Sequence, residues 1–124
     1  MSVILIVEDN EKNMKLVRDV LQFKGYETIE AVTGNDGVRL AKERKPDLVL
    51  MDIQLPDIDG ITALGRIRAD PATQKIPVIA VSASVMPDDQ QRIVASGFDA
   101  YVTKPINVKN FVETVERFVG KPKG

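Results

Sequence analysis

Cysteine and histidine are both absent from this 124-residue chain. Without cysteine there is no disulfide framework, no thiolate metal site and no thiol nucleophile. Without histidine the commonest general base and the commonest transition-metal ligand are gone, and any Ser-His-Asp triad with them. A strong charge of one sign is missing too: 17 Lys and Arg stand against 18 Asp and Glu, a formal net charge of -1. This argues against direct DNA binding by bulk charge, since such domains are usually strongly basic. No apolar run is long. The opening one, Val3 to Val7, is too short for a secretory core or a membrane span, so a cytoplasmic protein with no membrane contact is expected. No G-x-G-x-x-G or P-loop pattern occurs, which removes the usual glycine-rich phosphate cradle. The chemistry left must use carboxylates, hydroxyls, lysines and backbone groups.

What is present is an ordinary globular composition, 44% apolar and 28% charged, at a length that suits one core. Short β-branched apolar runs alternate with stretches of helical spacing. The expected strands are Val3–Glu8, Glu27–Ala31, Asp47–Asp52, Pro77–Ser82 and Asp99–Thr103. The expected helices are Glu11–Lys24, a second opening at Thr33 and ending before Pro46, Ile61–Ala69, Asp88–Ser96, and a fifth from the Asn107 cap to Gly120. The fifth is clearest: Val108, Phe111, Val112, Val115, Phe118 and Val119 make one apolar stripe. In the first helix Met14, Val17 and Leu21 form a sheet-facing stripe, and Leu16, Val20 and Phe23 widen it. Either that helix is buried between neighbours, or the extra residues are a docking surface near Asn13 and Leu16. The alternation implies an α/β fold: a (βα)5 doubly wound, parallel five-stranded sheet with flavodoxin-like order 2-1-3-4-5.

Two strands end in acid, the first at Glu8-Asp9 and the third at Asp52. Open parallel sheets place ligand sites at strand carboxyl ends. Three acids gathered there repel, by about 3 kcal/mol per pair at ~5 Å and an effective dielectric near 20, unless something cationic joins them. Ser82-Ala83 ends the fourth strand and Lys104-Pro105 follows the fifth; in the expected strand order both converge on the acids. Each motif alone has a plain structural explanation, as a turn, a strand-end hydroxyl or a surface lysine.

Together and in this order, with Met51-Asp52-Ile53-Gln54-Leu55-Pro56 through Gly60, they resemble the receiver domain of two-component response regulators. The stretches Val7 to Met14 and Asp52 to Pro56 are most similar to stand-alone regulators of the DivK type. The resemblance implies a phosphoacceptor at Asp52 that takes a phosphoryl group from a histidine kinase or a histidine phosphotransfer protein. It implies Mg²⁺ held by Asp9, Asp52 and the Gln54 carbonyl, with Glu8 acting through a water. Lys104 and Ser82 would bind phosphoryl oxygens, Ser82 and Tyr101 would switch together, and the bond before Pro105 would be cis. Gln54 and Ser84 would help set the lifetime of the acyl phosphate. Residues 1–120 would form the receiver domain and 121–124 a frayed tail, with no output domain. Such a protein is not a metabolic enzyme. It signals to a downstream protein target or relays phosphate, as a monomer or a weak phosphorylation-dependent dimer.

Three rivals remain. A phosphohydrolase of the haloacid dehalogenase type would need its nucleophile on the first strand and a second Asp where Gln54 stands. A flavin or nucleotide binder would need a phosphate cradle. An adaptor that had lost phosphorylation would lack part of the constellation.

Overall fold

The computed structural model describes residues 2–83 and 86–120, so the expectations for Ser84 and for the tail 121–124 lie outside the described residues. The strands are β1 (Val3–Val7), β2 (Glu27–Ala31), β3 (Leu48–Asp52), β4 (Val78–Ser82) and β5 (Ala100–Thr103). The helices are α1 (Glu11–Phe23), α2 (Gly34–Arg44), α3 (Gly60–Ala69), α4 (Pro87–Ala95) and α5 (Val108–Val119). All strand pairs are parallel, in the order β2-β1-β3-β4-β5. No described helix is long and apolar enough to cross a membrane.

The strands are apolar on both faces because helices cover both. Side chains alternate between faces with period two. Ile4, Ile6, Leu48, Leu50, Ile79, Val81 and Val102 join Met14, Val17, Leu21, Phe111, Val112 and Val115 under α1 and α5. Leu5, Val7, Val49, Met51, Val78 and Ala80 join Val38, Ala41, Ala63, Leu64, Ile67 and Ile93 under α2, α3 and α4.

Several boundaries move by one residue. Asp47 and Asp99 lie just outside their strands, where each caps a neighbour: Val3 N–H donates to Asp47 Oδ2 at 2.7 Å and Val78 N–H to Asp99 Oδ2 at 2.8 Å. Thr33, Asn107 and Asp59 are helix N-caps, accepting from Asp36, Asn110 and Thr62 N–H. Asp59 starts α3 at Gly60 rather than Ile61, and α4 begins at Pro87 rather than Asp88. Gly25 and Gly97 follow α1 and α4 at φ 96 and 109, conformations that only glycine adopts freely.

Two apolar stripes are narrower than their spacing suggests. Val108, in the first turn of α5, is exposed, and so are Leu16 (38%) and Phe23 (87%) on α1. The covering of α1 by the sheet reaches only Met14, Val17 and Leu21, with Val20 at the margin. Of the two readings of α1, burial between neighbours therefore does not hold for Leu16 and Phe23.

Candidate functional site

The pleat explains why three charged groups meet. Ile4 and Ile6 precede Glu8 on one face; Leu48 and Leu50 precede Asp52 on the same face; Val102 precedes Lys104. On this face each of the three strands therefore turns from apolar to charged at its carboxyl end, and the three charged groups meet there. The Val7–Met51 pairing sets β1 beside β3 there, at the place where the strand order reverses.

Lys104 Nζ donates to Asp52 Oδ2 at 2.9 Å and lies 3.0 Å from Glu8 Oε1. Both carboxylates are buried, each at 4% exposure. Gln54 N–H donates to Asp52 Oδ1 at 3.0 Å, and Asn10 N–H to Glu8 Oε2 at 3.2 Å. Burial pushes the Glu8 carboxyl up to about 7; the neighbouring Asp52 adds to the rise and Lys104 opposes it. Burial alone would lower the Lys104 ammonium, but its bonds to Asp52 and Glu8 outweigh that and hold it above its ordinary value. One lysine thus serves two acids, an arrangement that reduces the repulsion expected from the acids alone.

Asp9 is exposed at the mouth. One oxygen each from Glu8, Asp9 and Asp52 lies within 4.8 Å of the others. These are hard oxygen donors, with no nitrogen or sulfur ligand in the group, and they suit a hard divalent cation that keeps some of its water. The cluster opens into a cleft of about 490 Å³ lined also by Asn10, Asn13, Gln54, Leu55, Pro56 and Lys104. Mg²⁺ fits this donor set.

Ser82 follows the other phase of β4, with Val78 and Ala80, and so lies on the opposite face from Val81. It is buried. With Ala83, Asp89, Arg92 and Ile93 it lines a second, smaller cavity of about 120 Å³ that also reaches Asp52 and Lys104. Asp52 therefore stands between two concavities, one bounded by acids and one by the hydroxyl side. Tyr101 is not brought to the acids. It is 37% exposed and its hydroxyl donates to Gln90 Oε1 on α4 at 3.1 Å. Ala80 pairs with Tyr101 and Ser82 with Thr103, so Ser82 and Tyr101 share the sheet face toward α4. The Lys104–Pro105 bond is cis.

The loop from β3 to α3 needs a glycine at its end. A Cβ on Gly60 would strike the Asp52 carbonyl oxygen and come within 2.9 Å of Ile53 Cα. Gly60 N–H instead donates to Ile53 O at 2.9 Å, closing the loop behind Asp52.

Two features go beyond the sequence reading. Lys104 and Glu8 are both expected at the site, but their direct pairing joins the carboxyl ends of β1 and β5 and depends on how those ends pack. Asp57 is also part of the surroundings: its Oδ1 accepts from Gly34 N–H and its Oδ2 from Asn35 N–H, both at 2.8 Å. Its one cue in the sequence is its place directly after Pro56 in this loop.

Residues 4–116 match the family of response regulator receiver domains. The chain is similar to the polar-differentiation response regulator DivK of Brucella anthropi, 47% identical over 117 residues, which is 94% of this chain and 95% of that protein. DivK of Brucella ovis matches at the same identity and coverage. Among solved structures it is similar to the receiver domain of sensor histidine kinase PA1611 from Pseudomonas aeruginosa PAO1, with TM-score 0.89 and 31% identity over 97% of this chain and 98% of that one. That structure holds a magnesium ion coordinated in its active-site cleft.

Proposed function

This chain belongs to the response regulator receiver domain family, and we propose that within it Asp52 is the residue that carries the phosphoryl group. The observation that carries this reading is the convergence on one buried carboxylate: Lys104 Nζ on Oδ2, the Gln54 amide on Oδ1, and two further acids within ligand distance.

In this reading residues 1–120 form the receiver domain. A carboxylate oxygen of Asp52 attacks the phosphorus of a phosphohistidine. The new O–P bond forms as the N–P bond breaks, and the imidazole leaves and takes up a proton. Asp9, Asp52 and the Gln54 carbonyl would hold Mg²⁺, with Glu8 acting through a water. The ion, when bound, neutralises acid repulsion and the charge of the transferring group. Lys104 moves its hydrogen bond from Asp52 to a phosphoryl oxygen. Ser82, on the other side of Asp52, donates its hydroxyl to another. Water attack on the phosphorus later returns the carboxylate and inorganic phosphate, so turnover is self-catalysed and single-site rather than metabolic.

The donor is a sensor histidine kinase or a histidine phosphotransfer protein. Its helix meets the mouth of the cleft, where Asn13 lines the wall and Leu16 is exposed nearby on α1. The readout is a change in the α4–β5–α5 surface recognised by a downstream protein. Ser82 and Tyr101 lie on the sheet face toward α4, and Tyr101 starts from an outward pose bonded to α4.

Intact-mass analysis after incubation with acetyl phosphate and Mg²⁺ tests the reading. Wild-type protein gains one phosphoryl mass and Asp52→Asn gains none. Equal labelling of both removes Asp52 from the role.

A further inference from the structure

We infer that Asp57 is a positioning residue for the proposed magnesium site: by clamping the β3–α3 loop to the first turn of α2, it sets where Gln54 stands. This rests on the reading of Glu8, Asp9, Asp52 and Gln54 as a metal site.

The loop from Ile53 to Asp59 is tied at both ends. At its base Ile53 N–H donates to Val81 O at 3.1 Å and Gly60 N–H returns to Ile53 O at 2.9 Å. At its tip the Asp57 carboxylate takes two successive backbone amides of α2, Gly34 and Asn35, at 2.8 Å each. These amides have no acceptor inside their own helix. The Thr33 side chain takes Asp36 N–H and its carbonyl takes Gly37 N–H, so the loop supplies acceptors for Gly34 and Asn35. α3 adds a brace, Arg66 to Asn35 Oδ1 at 2.7 Å.

The two segments also touch closely. A Cβ on Gly34 would come within 2.5 Å of Ile58 Cγ1 and 3.3 Å of Asp57 Oδ1. A methyl at residue 34 would force the Ile58 side chain to shift against the loop. Asp57 stays ionised: the Asn35 and Gly34 amides hold its carboxyl at about 2, well below the usual range.

The clamp reaches the site through a stiff spacer. Gln54 lies three residues before Asp57, with Leu55-Pro56 between. Proline fixes its own φ and restricts the residue before it. Displacement at Asp57 is therefore passed to Gln54 rather than absorbed. Gln54 N–H steers Asp52 at 3.0 Å, and its carbonyl is the one backbone donor in the proposed metal set.

The test is a Mg²⁺ titration read by amide chemical shifts in isotope-labelled protein, with thermal melts alongside. Asp57→Ala should weaken Mg²⁺ several-fold, less than the roughly tenfold or more lost with a partner bonded directly to a ligand, and should shift the Gln54 amide resonance in metal-free protein. Asp57→Asn keeps one acceptor oxygen and should recover part of the affinity. It also serves if Asp57→Ala does not fold. Thr33→Ala removes the other cap of α2 without touching the loop; it should lower Tm yet leave Mg²⁺ affinity within about twofold, because the Asp57 tie to Gly34 and Asn35 is intact. Unchanged Mg²⁺ affinity in the Asp57 variants overturns the clamp while the metal site stands. Equal weakening by Thr33→Ala overturns it too, since helix stability alone would then explain the loss. A wild-type protein that binds no Mg²⁺ refutes the metal site and the clamp together.

Discussion

Glu8→Gln should stabilise the metal-free protein at alkaline pH and lose that advantage in acid. Glu8 is 4% exposed and its carboxyl is pushed from 4.5 up to about 7, chiefly by burial. A folded-state value above the unfolded one means that the folded protein binds the proton more tightly. Its stabilising effect is fully present below about pH 4.5 and is lost as pH rises toward about 7. At about 1.4 kcal/mol per tenfold change in proton affinity, ionised Glu8 costs the fold about 3 kcal/mol above neutrality, as an upper figure. Glutamine is never charged and escapes this. It does bring one amide donor toward Lys104 or the Asn10 N–H, since the two Glu8 oxygens now accept from both. That adds an offset of about 1 kcal/mol against the variant, nearly constant with pH. The diagnostic is therefore the slope of the difference. Urea unfolding followed by circular dichroism in EDTA, at intervals from about pH 5 to 8, measures it. The Gln-minus-Glu stability difference should climb by about 2–3 kcal/mol across that range. Saturating Mg²⁺ should then narrow the difference, because an ion that binds the folded wild type more tightly than the variant stabilises the wild type more. A difference that is flat with pH, or that shrinks as pH rises, refutes the account of Glu8 as a buried acid held at a cost for the metal.

Other perturbations separate the frame from the site. Arg68 donates to the carbonyls of Gln74, Ile76 and Gly97 and pairs with Asp99 at 2.8 Å; Arg68→Met should lower stability by about 2 kcal/mol in denaturant melts, more than an exposed ion pair contributes. A loss near zero would reduce this hub to a surface pair. Tyr26→Phe removes the hydroxyl bond to Gly120 O at 2.6 Å beneath a ring that is 3% exposed; about 1 kcal/mol should disappear, with faster amide exchange at the end of α5. Unchanged exchange there contradicts the tie. Gly60→Ala places a methyl against the Asp52 backbone; it should destabilise by about 1–3 kcal/mol and weaken Mg²⁺ binding as well. Tight binding in a destabilised variant would show that the loop end and the acids are independent.

Much of this architecture can be read in one dimension. β1, β3 and β4 are legible because strands covered on both sides must be apolar at every position, and Val3–Val7, Leu48–Met51 and Val78–Val81 are. Helix ends are legible where the cap chemistry is local, as at Thr33, Asn107, Gly25 and Gly97. Boundaries slip where an end residue works sideways, as Asp47 and Asp99 do in capping neighbouring strands. Spacing along α1 leaves burial and an exposed docking side open, because it shows which residues share a side, not how far the neighbouring layers reach; Leu16 and Phe23 lie beyond that reach.

The order of motifs along the chain determined the family, and the phase of each strand determined which acids and which lysine lie on one face. Both follow from local rules: apolar runs make strands, and a pleat alternates. Tertiary structure alone decided how charge is shared. Lys104 divides itself between Asp52 and Glu8, Asp57 reaches across to the amides of α2, and Tyr101 starts outward on Gln90. These are contacts between separate elements, and their distances depend on how the layers pack rather than on what any one segment prefers.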